Sequence, residues 1–392
     1  MLTSVVRTHR ASPLPHRLGK RAALLVLAAL LSHLSFIALS SATAQDPDRY
    51  KAATELFHKQ DFAGAAAIFQ QVEQVSPGRT DASLYLAKCQ VNLGQFNEGD
   101  TVLTGYLASH PANGEAAFLH AYLLFRENKA ALSLAAYTHA ATLATPRGGD
   151  LKIVALDYVL LEDNASAVHW LQRATELEPG DPEAWYFLGR SLFHQSLFPE
   201  ARQAFEHTLR LTPDSVRARN NLGLTFEAEN HLDDAAKEYR AAIAQDQLQR
   251  KSSSKLSSDA GNPPTETPSI LPRHPPETAS ETRAQPYLNL GSLLIRQSHS
   301  AAAVEALTEA TEIASDCVAC HQELGRAFAH LGRTRDARTQ LEIAVKLRPQ
   351  DAGLHYELGL LCQKDGDAAA AKAELMRSKE LYGTRATDPT IR

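Results

Sequence analysis

The chain has 392 residues, with 40 Lys and Arg against 45 Asp and Glu, a formal net charge of −5. Hydrophobic residues make up 44%, charged residues 22% and aromatics only 7%. This balance is ordinary for soluble protein, poor in aromatics for an all-β sandwich, and too acidic for a general binder of nucleic acid or anionic membrane. Four cysteines are far too few for a disulfide-stapled fold, so stability must come from packing.

The amino end reads as a signal peptide over residues 1–44. Arg7, Arg10, Arg17, Lys20 and Arg21 precede an apolar run from Ala22 to Leu31, which weakens through Phe36-Ile37-Ala38-Leu39. Ala42-Thr43-Ala44 then offers small residues where a signal peptidase needs them, so cleavage is expected to leave Gln45 as the new amino end. The chain would then be exported, to the periplasm or the cell exterior, with no membrane span left. An uncleaved N-terminal membrane anchor is the alternative, although Ser32, His33 and Ser35 interrupt the run. An organellar transit peptide is a weaker match, because the Leu/Ala run is too apolar for one. Losing the five basic residues would leave 35 Lys and Arg against 45 acids, a net charge of −10.

From about Pro47 the sequence repeats every 34 residues. The clearest unit runs from Gly180 to Pro213. Trp185, Leu188-Gly189 and Leu192 form one apolar block; Ala201, Phe205 and Pro213 belong to a second. Apolar places three and four apart predict two helices joined by a short turn, with Pro-Asp and Pro-Gly pairs marking the breaks. In register, nine units start near residues 46, 80, 114, 148, 182, 216, 284, 318 and 352. The eighth place holds Ala53, Ala87, Ala121, Ala155, Gly189, Gly223, Gly291, Gly325 and Gly359. The twentieth place is also always small, from Ala65 to Ala371, and four residues later the side chain is always large, from Phe69 to Leu375. Two helices can cross closely only where one of them is nearly bare, and a large side chain one turn away fills the remaining hollow. Pro77, Pro111, Pro179, Pro213 and Pro349 end second helices, since proline lacks the amide hydrogen and disfavours helix before it. On this basis Gly189 is expected to reject leucine far more strongly than Ser191, which the pattern puts in a less crowded place of the same helix.

The pattern resembles the tetratricopeptide repeat (TPR) family, over residues 46–247 and 284–383. Trp185, Leu188, Gly189, Leu192, Ala201, Phe205 and Pro213 match its signature, while Gln90, Tyr106 and His120 depart from it. The resemblance implies an all-α fold, a right-handed superhelical solenoid of about nine helix-turn-helix repeats. These would form a block of six repeats over 45–247 and a block of three over 284–383, with a short tail at 384–392. Between them, residues 248–283 leave the pattern: KSSSK is followed by Pro263, Pro264, Pro268, Pro272, Pro275 and Pro276 among Ser, Thr and Glu. This is expected to be a disordered linker, looped out while repeats six and seven stack directly. Tyr239 and Ala242 on one side, and Tyr287, Leu290 and Leu294 on the other, would otherwise face water.

The resemblance also implies function. In such proteins the first helix of each repeat lines a concave groove with its second, fifth, sixth, ninth and twelfth places. Here those places include Tyr50, Lys88 and Phe118, and the partner-contact candidates Tyr122, Lys152, Tyr186, Arg190, Arg217, Asn220, Asn221 and Asn289. Rings with Arg, Lys and Asn suit an extended peptide, offering donors for its backbone and carboxylates. Arg190, Arg217 and Asn221 partly resemble the carboxylate clamp of the chaperone-binding branch. A non-catalytic protein-binding scaffold, with no nucleic-acid partner, is therefore the leading expectation; a helper in polysaccharide export or glycan binding is an alternative.

One motif suggests other chemistry. Cys317-Val318-Ala319-Cys320-His321 has the Cys-x-x-Cys-His spacing of c-type haem attachment, in which two thioethers anchor the cofactor and the His binds iron. A redox protein carrying haem at Cys317, Cys320 and His321 is thus a second alternative. Against it, His321 holds the fourth place of its repeat, where Trp185 and Tyr287 stand in others, and the pattern continues undisturbed through Leu324-Gly325 and Phe328. A disulfide and a plain thiol pair are the other two readings, no resident cofactor is expected, and no metal site is expected because there is no second cysteine pair. No Gly-rich phosphate loop or GxSxG is present, and Glu162-Asp163 and Asp233-Asp234 fall where a turn is predicted, as capping or solvated groups. Asn164-Ala165-Ser166 is a glycosylation acceptor sequence in the same kind of turn.

Overall fold

The computed structural model of the chain describes residues 47–75, 81–259 and 279–387. The expected signal peptide, its cleavage point and the final residues of the tail lie outside them. The described residues form helices throughout, in nine consecutive pairs that keep the 34-residue spacing. These are α1 (47–58) and α2 (Phe62–Val75), α3 (Ala82–Asn92) and α4 (Phe96–Ser109), α5 (Gly114–Arg126) and α6 (Ala130–Leu143), α7 (Gly148–Leu160) and α8 (Asn164–Leu177), and α9 (Pro182–His194) and α10 (Phe198–Leu211). Then come α11 (Val216–Ala228) and α12 (Leu232–Asp259), α13 (Ala279–Arg296) and α14 (Ser300–Ile313), α15 (Val318–His330) and α16 (Thr334–Leu347), and α17 (Ala352–Lys364) and α18 (Ala368–Thr387). No strand occurs among the described residues, and no helix there is long and apolar enough to cross a membrane. The chain divides into two compact units, one ending at Leu123 and the other beginning at Leu124.

Within a pair, the bare eighth place does what the sequence implies. A Cβ added to Gly189 would lie 2.7 Å from the Phe205 ring, and one added to Gly223 would lie 2.6 Å from Tyr239. The turn between the helices is equally regular. The fifteenth place of every repeat is left-handed: Gln60, Gly94, Asn128, Glu162, Ser196, Asn230, Ser298, Gly332 and Gly366 all have positive φ. Six of the nine are not glycine, so these turns carry a backbone cost that packing offsets. After the turn at Glu162, Asp163 caps α8 by accepting from the Ser166 amide at 3.0 Å.

In the first unit, Tyr50 packs edge-on against Phe69 and Tyr85 in a core with Ala53, Ala65 and Leu86, so it is part of the interior. Burial pushes its hydroxyl up to about 12. Two of the residues that depart from the family pattern find partners of their own. Tyr106 reaches from α4 to Asp81, its hydroxyl donating at 2.6 Å, and His120 meets the Asp100 carboxylate at 2.8 Å.

In the second unit, repeats six and seven stack directly. Ala235, Ala236 and Tyr239 of α12 share one core with Leu290, Leu293 and Leu294 of α13. The expected linker boundaries need correction: α12 continues to Asp259 and α13 starts at Ala279, so 248–259 and 279–283 are helical, while 260–278 lie outside the described residues. Nothing from Lys251 to Asp259 breaks a helix; the first proline is Pro263. The added turns are used. Arg250 pairs with Asp246 at 2.9 Å and Glu309 at 2.8 Å, and donates to the Tyr287 hydroxyl at 2.7 Å. Tyr287 in turn donates to Asp246 at 3.0 Å.

Two features were not foreseen. Ser191 is only 1% exposed, so it is as crowded as Gly189 and cannot serve as the tolerant position. Asp157 on α7 is fully buried at 0% exposure, and neither carboxylate oxygen has a hydrogen-bond partner of good geometry, although the Ser133 hydroxyl is near enough to favour the ionised form. Desolvation dominates and pushes the carboxyl up from 3.8 to about 7.

Three outcomes follow from this packing. Gly189→Leu costs about 3 kcal/mol by overpacking against Phe205, whereas His194→Leu, exposed on the same helix, changes stability by less than about 0.5 kcal/mol; urea unfolding of both variants compares them. If an engineered protease site within 260–278 is cut, the two pieces still elute together on gel filtration, because α12 and α13 remain packed. For Asp157, the folded chain holds a proton that the unfolded chain has lost between about pH 4 and pH 7, so stability falls as pH rises through that window. Asp157→Asn should flatten this dependence and gain on the order of 3 kcal/mol at pH 8, read from urea midpoints at pH 5 and pH 8.

Candidate functional site

Seven of the eight groove candidates lie in the second unit, on the first helices of repeats four to seven; Tyr122 lies on α5 within the first unit. The helix starts that carry them are well fixed. Asp181 accepts from the Glu183 and Ala184 amides at the head of α9, and Ser215 accepts from Ala218 at the head of α11. In repeats five and six the fourth place ties the first helix to the connection before it. Trp185 donates to the Pro179 carbonyl at 2.9 Å and Arg219 to that of Pro213 at 3.0 Å.

The candidates divide by what they already touch. Lys152 is engaged, with its Nζ 2.7 Å from Asp181 and 3.2 Å from Glu183 of the next repeat. Burial alone would lower its pKa, but the two carboxylates outweigh that and hold it charged. It serves as a joint between repeats. Tyr186, Arg217 and Asn221 come together. The Asn221 amide donates to the Tyr186 hydroxyl at 3.2 Å and to the Arg217 carbonyl at 2.9 Å, and the Arg217 guanidinium lies 5.0 Å over the Tyr186 ring. A second amide link joins repeats six and seven, where Asn289 donates to Asn220 at 2.9 Å.

The basic residues around the strip divide by whether a carboxylate holds them. Lys152, Arg202, Arg219 and Arg250 are each held by a carboxylate. Among the described residues no ion pair involves Arg190 or Arg217. Arg190 is half-buried on α9 and Arg217 is exposed on α11. Desolvation lowers the pKa of His194, one turn beyond Arg190, and the Arg190 charge lowers it further. The arrangement is a strip of amide donors and acceptors with two uncompensated guanidinium groups and one ring, suited to an anionic, hydrogen-bonding chain.

At the other candidate locus, Cys317 and Cys320 are joined by a disulfide at the start of α15. The His321 ring nitrogens lie 3.1 Å from the Ser315 carbonyl and 2.8 Å from the Gln340 amide oxygen. His355, one repeat on, has the same geometry, 3.1 Å from the Pro349 carbonyl and 2.6 Å from Glu374, with no cysteines beside it. In this arrangement the two sulfurs are joined to each other and both His321 nitrogens have oxygen partners. Among the described residues no three His, Cys, Asp or Glu side chains converge as a metal site. Sequence reasoning identified the fourth place as a packing position but could not see its carbonyl partner, which depends on how the preceding connection turns.

Comparison with known proteins agrees with this architecture. Tetratricopeptide repeat family models match residues 56–123, 155–215, 195–249, 284–317 and 323–379, together well over half of the chain. No curated protein matches it in sequence. Among solved structures, the APC/C hetero-tetramer Cut9–Hcn1 is similar at a TM-score of 0.50 and 15% identity, over 79% of this chain and 54% of that one, so this chain spans about half its length. A tetratricopeptide repeat protein from Parabacteroides merdae is similar at a TM-score of 0.49 and 15% identity, over 72% of this chain and 98% of that one. YrrB, described as a TPR protein with an unusual peptide-binding site, is similar at 0.41 and 18% identity, over 45% of this chain and 91% of that one. At these identities the likeness is one of fold alone. With nine helix pairs in register and family matches spread from residue 56 to residue 379, the chain belongs to the tetratricopeptide repeat family.

Proposed function

We propose that this protein is a non-catalytic, exported scaffold that holds an extended, carboxylate-bearing segment of another protein along the first helices of repeats five to seven. The observation that carries this reading is the pair of uncompensated guanidinium groups, Arg190 and Arg217, beside Tyr186 and Asn221. Two guanidinium groups on one strip with no ion pair among the described residues can take an anion from outside, and a partner's acidic side chains or terminal carboxylate would supply it. The half-buried amides of Asn221 and Asn289 would meet its backbone, while Tyr186 and Asn220, both 8% exposed, support the strip through their bonds to Asn221 and Asn289. Export rests on the basic and apolar pattern of residues 1–44.

The test is fluorescence anisotropy with labelled acidic peptides bearing a free terminal carboxylate, against basic peptides of equal length. Arg190→Glu and Arg217→Glu should each weaken acidic-peptide binding about tenfold or more, and binding should fall with added salt. Neither arginine belongs to an ion pair among the described residues, so the circular dichroism spectrum should not change. Acidic-peptide binding unaffected by both reversals would overturn the assignment.

A further inference from the structure

The cysteine pair lies outside the strip and has a logic of its own. Helices α9, α11 and α17 each open on an oxygen acceptor, Asp181, Ser215 and Asp351. At the same place α15 opens on Cys317, whose sulfur accepts from the Cys320 amide at 3.2 Å. Cys320 stands where α9 and α11 have buried Ala184 and Ala218. The disulfide therefore closes the first turn of α15 on itself. It packs in a core with Ala284, Tyr287, Ala310 and Ala314, at the joint of α13, α14 and α15.

We propose that Cys317–Cys320 is a thiol–disulfide exchange site whose redox state sets how firmly the start of α15 is held. Sulfur is a weak acceptor compared with the oxygens that cap α9, α11 and α17. In the oxidised form the covalent closure compensates. In the reduced form the amides of the first turn have only a weak acceptor and fray, loosening His321 from Ser315 and Gln340. Cys317 keeps 6% exposure and Cys320 none, so an external thiolate attacks the Cys317 sulfur. The S–S bond breaks, a mixed disulfide forms on Cys317, and Cys320 leaves as a thiolate that takes up a proton. A second thiolate attacks the external sulfur, releasing the Cys317 thiolate and the oxidised reagent. One disulfide and two small thiols thus become two protein thiols and one small disulfide. Reoxidation runs the two exchanges in reverse: the Cys317 thiolate attacks an external disulfide, and the Cys320 thiolate then displaces the external thiol. The other two cysteines differ. Burial pushes the Cys89 thiol up to about 11 and raises that of Cys362, and both are buried within their helices.

Two measurements on the full chain test this. Native protein is alkylated with iodoacetamide before and after dithiothreitol, then mapped by mass spectrometry. Cys317 and Cys320 should be protected before reduction and labelled after it, with Cys89 and Cys362 unlabelled throughout. Labelling before reduction, or protection that survives it, overturns the site. Hydrogen exchange then reads the consequence: amides at the start of α15 should exchange at least tenfold faster in reduced than in oxidised protein. The Cys317→Ser/Cys320→Ala variant, which reproduces the Ser215 and Ala218 arrangement, should exchange as slowly as the oxidised form under both conditions. Equal exchange in oxidised and reduced wild type overturns the switch even if the chemistry occurs.

Discussion

The close crossing of two helices inside each repeat is the constraint on which the rest depends. At the eighth place the backbone must be nearly bare, because a ring or branched side chain from the partner helix lies against it, as Phe205 lies against Gly189. If that place is filled the pair cannot close, its apolar faces stay wet, and the neighbouring repeats lose the surface they stack on. In a quasi-one-dimensional array each pair supports only its neighbours, so the requirement is imposed again at every period.

Between repeats, polar joints add to the shared apolar core, and they have a different purpose. Trp185, Arg219, His321 and His355 bind the preceding connection, Lys152 bridges repeats four and five, Glu227 joins Tyr239 to Arg296, and Arg326 pairs with Glu357 of the following repeat. Apolar packing would allow neighbouring pairs to slide; directional bonds to named carbonyls and carboxylates fix their register. This use of charge also gives the candidate site its character. Lys152, Arg202, Arg250, Arg296 and Arg326 are committed to such joints, whereas Arg190 and Arg217 take part in no ion pair among the described residues.

Much of this was legible in the sequence because it is periodic. Nine small residues at the eighth place, and nine large ones at the twenty-fourth, define helix pairs and their contacts without any structure. The stacking of repeats six and seven could also be foreseen, since Tyr239, Leu290 and Leu294 needed cover. What was not legible depends on single atoms or on the absence of a signal. Ser191 was expected in a less crowded place of its helix, yet the small space it occupies is interior. The helical continuation from Leu248 to Asp259 carries no periodic mark, so the loss of the repeat pattern was taken for the loss of helix. In the strip, residue types were readable, but Lys152 and Arg190 look alike in sequence, and only the positions of Asp181 and Glu183 separate a structural cation from an open one.

The doubly secured contact between α12 and α13 has an evolutionary consequence. The apolar core and the Asp246–Arg250–Tyr287 network fasten these helices without help from the residues that connect them. The connecting sequence is thereby released from selection for packing. It can drift in composition, lengthen, or acquire a short recognition sequence while the array on both sides keeps its register, which makes this joint the place where the lineage can add a new property without rebuilding the old one.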